Sequence, residues 1–392
     1  GITATGITAT TPGASATEMR TGRTFPSSDE EGIKGWCQER ILSYPIAASN
    51  RIAGDCTAGG LPPFLILSLF FLILSAEYWT ISNYFVIVFH SSQFPSTFMQ
   101  SSQRKIRYGI IGFGFFAERA IAPAIKASAN SELVALQKRS LSAAQDKASE
   151  YSVPLAFDSA EELVAHPDVD AVFIVSANAR HCPETLIAAR AKKHVLVEKP
   201  MAMNAAEARR MIAACKKNRV KLMIGHMLRL SPLVRRMRDI VRSGMIGEIT
   251  AARSEFIYDA QLSQRKWLFD RKLAGGGPVY DIGVHGLDTL RFVLDDEVIT
   301  TKSVLHPLPT ATRTEDSAMM SLKFSRGTVA SIYCSFMTPI RRTFIEFVGT
   351  KGIISAYDFT HNNATVSLQI TTGKDETTKI EQISIPNLYE QE

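Results

Sequence analysis

Two stretches carry residue types able to move protons at a carbon centre. The tripeptide Glu198-Lys199-Pro200 closes a short apolar run. A lysine at the mouth of a cleft can donate a proton to a developing alkoxide, or take one once its own proton affinity falls. Pro200 fixes the chain just after it. Without context such a lysine is more often a plain surface residue. Farther on, Gly275-Gly-Gly-Pro-Val-Tyr-Asp281-Ile-Gly-Val-His285 sets a carboxylate and an imidazole four residues apart, on one face of a helix. The carboxylate can orient the ring and favour its protonated form, leaving His285 to exchange a hydroxyl proton. The alternatives are a surface pair or part of a metal site. No His-x-x-x-His and no third clustered ligand accompanies the pair, so no metal is assigned.

Proton carriers need an electron carrier beside them. An apolar run, Ile106–Ile111, ends in Gly112-Phe113-Gly114-Phe115-Phe116-Ala117. This is how a phosphate-binding turn between strand and helix is written. Gly112 permits the tight turn, Gly114 lets backbone approach a pyrophosphate, and Ala117 lets the helix lie on the strand. Phosphate would rest on the free N–H groups of the helix start. The next strand ends in Gln137-Lys138-Arg139-Ser140, with no carboxylate for a ribose and two cations suited to a 2′-phosphate. NADP(H) is therefore favoured over NAD(H), the alternative being a solvated basic pair in a turn. A further strand ends in Ser176-Ala-Asn178-Ala-Arg-His181. Ser176 and Asn178 can meet cofactor ribose or phosphate; His181 is a third candidate, or the start of the next helix. Glu198 and Lys199 complete the cofactor side.

Elements that would position these groups follow in a regular order. Strands at 106–111, 132–137, near 155, 169–175, 194–197 and 220–224 alternate with helices at 116–129, 142–151, 159–165, 183–192 and 204–218. Asn204 caps the last helix and Glu207 completes a capping box. The alternation predicts an α/β, doubly wound parallel sheet, a Rossmann domain. After Pro232 the texture changes to helix 233–243, strand 249–258, helix 279–294 and seven strands with polar turns. That predicts an α+β domain with a largely antiparallel, open sheet.

Together these pieces resemble the glucose–fructose oxidoreductase/inositol dehydrogenase/MocA family, from about Ile106 to Tyr389. The specific parts are Gly-Phe-Gly-Phe-Phe-Ala, Glu198-Lys199-Pro200, Gly-His-Met-Leu-Arg229 and the Gly275–His285 run. The resemblance implies a Rossmann domain and a C-terminal domain whose sheet faces the nicotinamide. It implies Lys199, Asp281 and His285 as the catalytic set, a cis Lys199–Pro200 bond, and a homo-oligomer. Trp267, the run Leu287–Asp295 and Asn387-Leu-Tyr389 fit the NADPH-linked 1,5-anhydro-fructose reductase subgroup, which places Trp267 and Tyr389 at the cofactor. The family continues past that point with a helix packed on the cofactor domain, so the C-terminal domain is expected to be cut short.

Composition is that of a globular chain: 45% of the 392 residues are hydrophobic and 21% charged. The net charge of +6 is scattered, with no nucleic-acid footprint. Cys37, Cys56, Cys182, Cys215 and Cys334 lie far apart, as idle thiols of a reducing compartment do. Residues 1–98 have no counterpart in the family and read as a disordered or spurious extension. Within it, 61–90 is apolar enough to suggest a membrane segment or an export segment instead. The expected division is therefore 99–230 for NAD(P) and 231–392 for substrate and oligomerisation, in a cytoplasmic protein, membrane-anchored only if 61–90 is real. The expected activity is NADP(H)-linked oxidoreduction of a sugar, polyol or related cyclic alcohol or ketone. The rivals are a redox-neutral NAD-dependent glycosidase or epimerase, and a non-catalytic cofactor-binding protein.

Overall fold

The computed structural model describes residues 104–392, and upstream of them only the backbone pairing of Tyr78–Ile81 with Tyr84–Ile87. The readings of 1–98 and of the apolar segment 61–90 lie, apart from that pairing, outside the described residues. Among the described residues no helix is long and apolar enough to cross a membrane.

Six strands form the first sheet: β1 (Ile106–Ile111), β2 (Ser131–Gln137), β3 (Leu155–Phe157), β4 (Ala171–Ile174), β5 (His194–Glu198) and β6 (Leu222–Gly225). All are parallel, in the order β3-β2-β1-β4-β5-β6. Every residue of β4 is buried, because helices cover both faces of the sheet. The order reverses between β1 and β4, so a crevice opens at their carboxyl ends. Gly112 and Ser176 stand there.

The helices between these strands differ from expectation at two ends. Helix α1 opens with a π turn, Ala117–Ile121, and continues as Ala122–Ala127. Pro123 has no N–H for a regular α turn, and the backbone widens ahead of it. Between β2 and β4 lie α2 (Leu141–Glu150) and α3 (Ala160–Ala165). The next helix, α4, runs Asn178–Arg190, five residues earlier than a start at Pro183. Proline marks a first turn only when nothing else fixes the chain. Here the chain turns helical at Asn178, directly after the strand end, and Pro183 lies inside the helix. Asn204 caps α5 (Ala205–Asn218), accepting from Glu207 N at 2.9 Å. The Glu207 carboxylate returns to Met203 N, 3.2 Å away, one residue short of the expected box.

The second sheet has eight strands: β7 (Ile249–Asp259), β8 (Val298–His306), β9 (Ser317–Phe324), β10 (Val329–Ser335), β11 (Met337–Gly349), β12 (Gly352–Tyr357), β13 (Ala364–Thr372) and β14 (Thr377–Ile385). Their order is β8-β9-β10-β7-β11-β12-β13-β14, antiparallel except for the β10–β7 pair. One face packs on α6 (Pro232–Arg242) and, beyond the short α7 (Arg271–Ala274), on α8, a π turn Val279–Gly283 that runs on as Val284–Leu294. The core between them includes the fully buried Phe324, Phe336 and Phe347. The last helical turn, α9 (Leu388–Gln391), touches α1, and Tyr389 meets Phe116 edge to face at 5.5 Å.

Candidate active site

The glycine turn has the geometry its sequence requires. Gly112 has φ +81°, and a Cβ there would lie 2.7 Å from the backbone of Ser176. Any side chain would collide with the neighbouring strand end as well as strain the turn. At Gly114 a Cβ would meet nothing closer than Gly112 O at 3.8 Å, so the space above it is open. Ala117 is buried. Phe113 is also buried and packs on Tyr151 at 5.3 Å, so its side chain is core and only its backbone belongs to the turn.

Lys138 and Arg139 are separated by the fold. The Lys138 ammonium donates to Phe113 O at 2.8 Å and lies 3.6 Å from Glu118. It braces the turn. Arg139 is exposed at the end of β2.

Between the two sheets lies a cavity of about 330 Å³. Phe115, Phe116, Ser176, Asn178, His181, Glu198 and Lys199 line it from the first sheet. From the second come Asp281, His285, Trp267 and Tyr389, all anticipated, and Phe256, Tyr258, Arg265 and Arg341, which were not. Gly112, Phe113, Gly114, Lys138 and Arg139 lie outside its lining.

At its centre is Asp281, 4% exposed. Its Oδ1 accepts from the Lys199 ammonium at 3.0 Å, and its backbone carbonyl accepts from the same nitrogen at 2.8 Å. Arg265 grips both carboxylate oxygens, at 3.0 and 3.1 Å, and the Tyr258 hydroxyl donates to Oδ2 at 2.9 Å. Burial opposes ionisation, but Arg265 and then Lys199 hold the carboxyl far below the usual range. The Lys199–Pro200 bond is cis, as the resemblance implied.

The expected Asp281–His285 partnership is not formed. Asp281 is taken by Lys199 and Arg265, which lie 82 and 16 residues away in sequence. His285 instead sits between the rings of Phe256 (6.2 Å) and His226 (6.4 Å). Its buried Nδ1 has no hydrogen-bond partner. Burial, and then the neighbouring Lys199 ammonium, push its proton affinity well below the ordinary value. The ring is neutral, the opposite of the charged form expected from the spacing.

Three of the anticipated cofactor contacts have other partners. Ser176 donates to Glu184 at 2.5 Å, and the Asn178 amide donates to Ala274 O at 2.8 Å. His181 is buried, its Nδ1 2.8 Å from Pro200 O and its Nε2 3.1 Å from Ser176 O. Burial pushes it down to about 4, so the neutral ring can donate to only one of those carbonyls. His181 thus holds the backbone beside Lys199.

Glu198 is buried, one oxygen accepting from Lys199 N at 3.2 Å and the other without a partner. Burial pushes its carboxyl up to about 7, against the pull of Lys199. The folded state therefore binds this proton more tightly than the unfolded chain does. Its contribution to stability is full below the ordinary carboxylate value and is lost as pH rises from about 4.5 to about 7. Glu198→Gln, which cannot ionise, should remove that loss, a gain relative to wild type of roughly 2–3 kcal/mol on going from pH 5 to 8. Urea unfolding of both proteins at the two pH values measures it. Parallel pH profiles would contradict the assignment.

The comparisons with known proteins agree with this architecture. The model described as "Oxidoreductase family, NAD-binding Rossmann fold" matches residues 106–226, and the GFO/IDH/MocA C-terminal domain model matches 234–355. The chain is 37% identical over 247 residues to 1,5-anhydro-D-fructose reductase of Ensifer adhaerens, covering 63% of this chain and 74% of that protein. It is 30% identical over 211 residues to D-xylose 1-dehydrogenase [NADP(+)] of Haloarcula marismortui, covering 52% and 59%. Among solved structures, aldose-aldose oxidoreductase from Caulobacter crescentus, complexed with glycerol, superposes with a TM-score of 0.66 at 28% identity, over 74% of this chain and 87% of that one. A 3-ketoreductase from Actinomadura kijaniata, in complex with NADP and TDP-benzene, has the same TM-score and coverage at 22% identity, a likeness of fold.

Proposed function

The chain belongs to the GFO/IDH/MocA oxidoreductase family, and from that premise we propose that it is an NAD(P)-dependent oxidoreductase of sugars, polyols or related cyclic alcohols and ketones, working with NADP(H). The observation that carries the reading is the meeting of Lys199, from the first sheet, with Asp281 and His285, from the second domain, in one cavity that Phe115 and Phe116 of the glycine turn also line.

The residues fit a dinucleotide. The space over Gly114 is open, and the crevice lies at the switch in strand order. Gly112, Gly114, Phe115 and Phe116 would hold the pyrophosphate side, Arg139 a 2′-phosphate, and Trp267 and Tyr389 would border the nicotinamide, which when bound exchanges hydride with the substrate carbon. Lys199 spends two N–H groups on Asp281 and has a third for a substrate oxygen. It is the proton donor in reduction. Asp281 fixes its position, and Arg265 and Tyr258 fix Asp281. His285, neutral and with an orphaned nitrogen, accepts a hydroxyl proton in oxidation or binds the same oxygen.

NADP(H) preference rests on Arg139 and on the missing acidic residue at the end of β2. Arg139→Ala should weaken NADPH binding by about tenfold, as loss of a charge-assisted contact does, and leave NADH binding nearly unchanged. Fluorescence titration with both nucleotides tests this; equal losses, or a wild-type preference for NADH, would contradict it.

The sheet face turned away from α8 exposes Met319, Val329, Ile353 and Tyr357. We assign it to contact with a second copy of the chain, which sedimentation equilibrium would detect as a dimer.

A further inference from the structure

The cavity contains a cation that the chemistry above does not use. β11 pairs with β7 through a wide irregularity: Met337 faces Asp259 and Arg342 faces Ile257, so Thr338, Pro339, Ile340 and Arg341 stand against Tyr258 alone. Such bulges re-aim side chains beside active sites. This one brings Arg341 to the cavity wall. The guanidinium lies over the Phe256 ring, 5.4 Å from its centroid, and donates one hydrogen bond, to Thr360 Oγ1 at 2.9 Å. Both contacts fix its plane and leave further N–H groups uncommitted.

The charges of the cavity do not balance around it. Arg265 and Lys199 share Asp281. Glu198, the other carboxylate in the lining, accepts from Lys199 N. Among the described residues no carboxylate lies within ion-pair distance of Arg341, which stands exposed at the cavity rim and feels Asp358 only at longer range. Phe256 in turn meets His285 at 6.2 Å. Arg341 is therefore no farther from the imidazole than those two contacts laid end to end, a span that a hexose with a charged terminal group bridges.

We propose that Arg341 is a specificity-determining residue that pairs with an anionic group, carboxylate or phosphate, on the sugar substrate, at the end remote from the reacting carbon. This rests on the reading of the cavity as a substrate pocket. It narrows the substrate class to sugar acids or sugar phosphates. A planar guanidinium, already oriented, suits either anion in a two-bond contact.

The test uses the full chain saturated with NADPH and three probes that share one ring: D-glucose, D-glucuronate and D-glucose 6-phosphate. Ligand-observed NMR gives the dissociation constants for wild type, Arg341→Gln and Arg341→Lys. At least one charged probe should bind wild type about tenfold or more tighter than glucose, and which one identifies the anion. Arg341→Gln should abolish that preference, Arg341→Lys should keep part of it, and NADPH affinity should be the same in all three. Equal or undetectable binding of the three probes to wild type, or a preference that survives Arg341→Gln, would overturn the proposal. So would loss of NADPH affinity in Arg341→Gln, which would make Arg341 a cofactor ligand. Failure of wild type to bind NADPH would refute the reading of the cleft itself, a separate result.

Discussion

Lys199→Met is expected to lower kcat for NADPH-linked carbonyl reduction by about 10²–10⁴-fold, the usual worth of a positioned general acid, with NADPH affinity nearly unchanged. Methionine keeps the length of the side chain and removes its three donors. The fold should tolerate the change, because Asp281 keeps Arg265 and Tyr258 as partners. The glycine turn and Arg139, proposed above to hold the nucleotide, involve other residues. Steady-state rates beside an NADPH titration separate the two effects. Turnover near wild type would remove Lys199 from the proton path; loss of NADPH binding would make it a cofactor anchor instead.

Asp281→Ala should have the largest effect on stability. The carboxylate is buried and stands between two cations, Lys199 and Arg265, whose side chains are 13% and 30% exposed. Breaking a buried ion pair from one side typically costs about 3–5 kcal/mol, because the other charge stays behind. Asp281→Asn should cost less, since the amide oxygen still accepts a hydrogen bond. Adding Arg265→Met to Asp281→Ala should recover part of the loss, since one stranded charge goes with it. Urea unfolding of the single and double variants forms the cycle, with a coupling of about 1–3 kcal/mol expected. Additive losses would mean that Arg265 and Asp281 are not one unit.

The glycine turn, the Glu198-Lys199-Pro200 strand end and the Asp281–His285 helix were all legible as short motifs, because local spacing determines turns and helix faces. The alternation of strand and helix was enough for the parallel sheet. Partnership was not legible. Spacing placed His285 near Asp281, but Lys199 and Arg265, both cations, hold the buried carboxylate more strongly than a neutral ring can. Nothing around Arg265 in the loop before Trp267 marks it as a partner for Asp281; Pro339 hints at a break in strand pairing, but nothing there aims Arg341 at the cavity. Both depend on strand register, which the sequence specifies only through the whole sheet. Lys138 and Arg139 read alike as cations suited to a 2′-phosphate, but the Lys138 ammonium donates to Phe113 O, a partner that the sequence does not announce.

The central claim is that hydride leaves the nicotinamide for a substrate carbon. NADPH deuterated at C4 on the reactive face, mixed with the protein and a panel of keto sugars and their acid-bearing analogues, tests it by mass spectrometry of the sugar. One deuterium in a reduced sugar, with an equal amount of NADP⁺ formed, is the result expected. A sugar that is cleaved or epimerised with no deuterium gained and no net nucleotide oxidised would contradict the account and favour redox-neutral chemistry on the same fold.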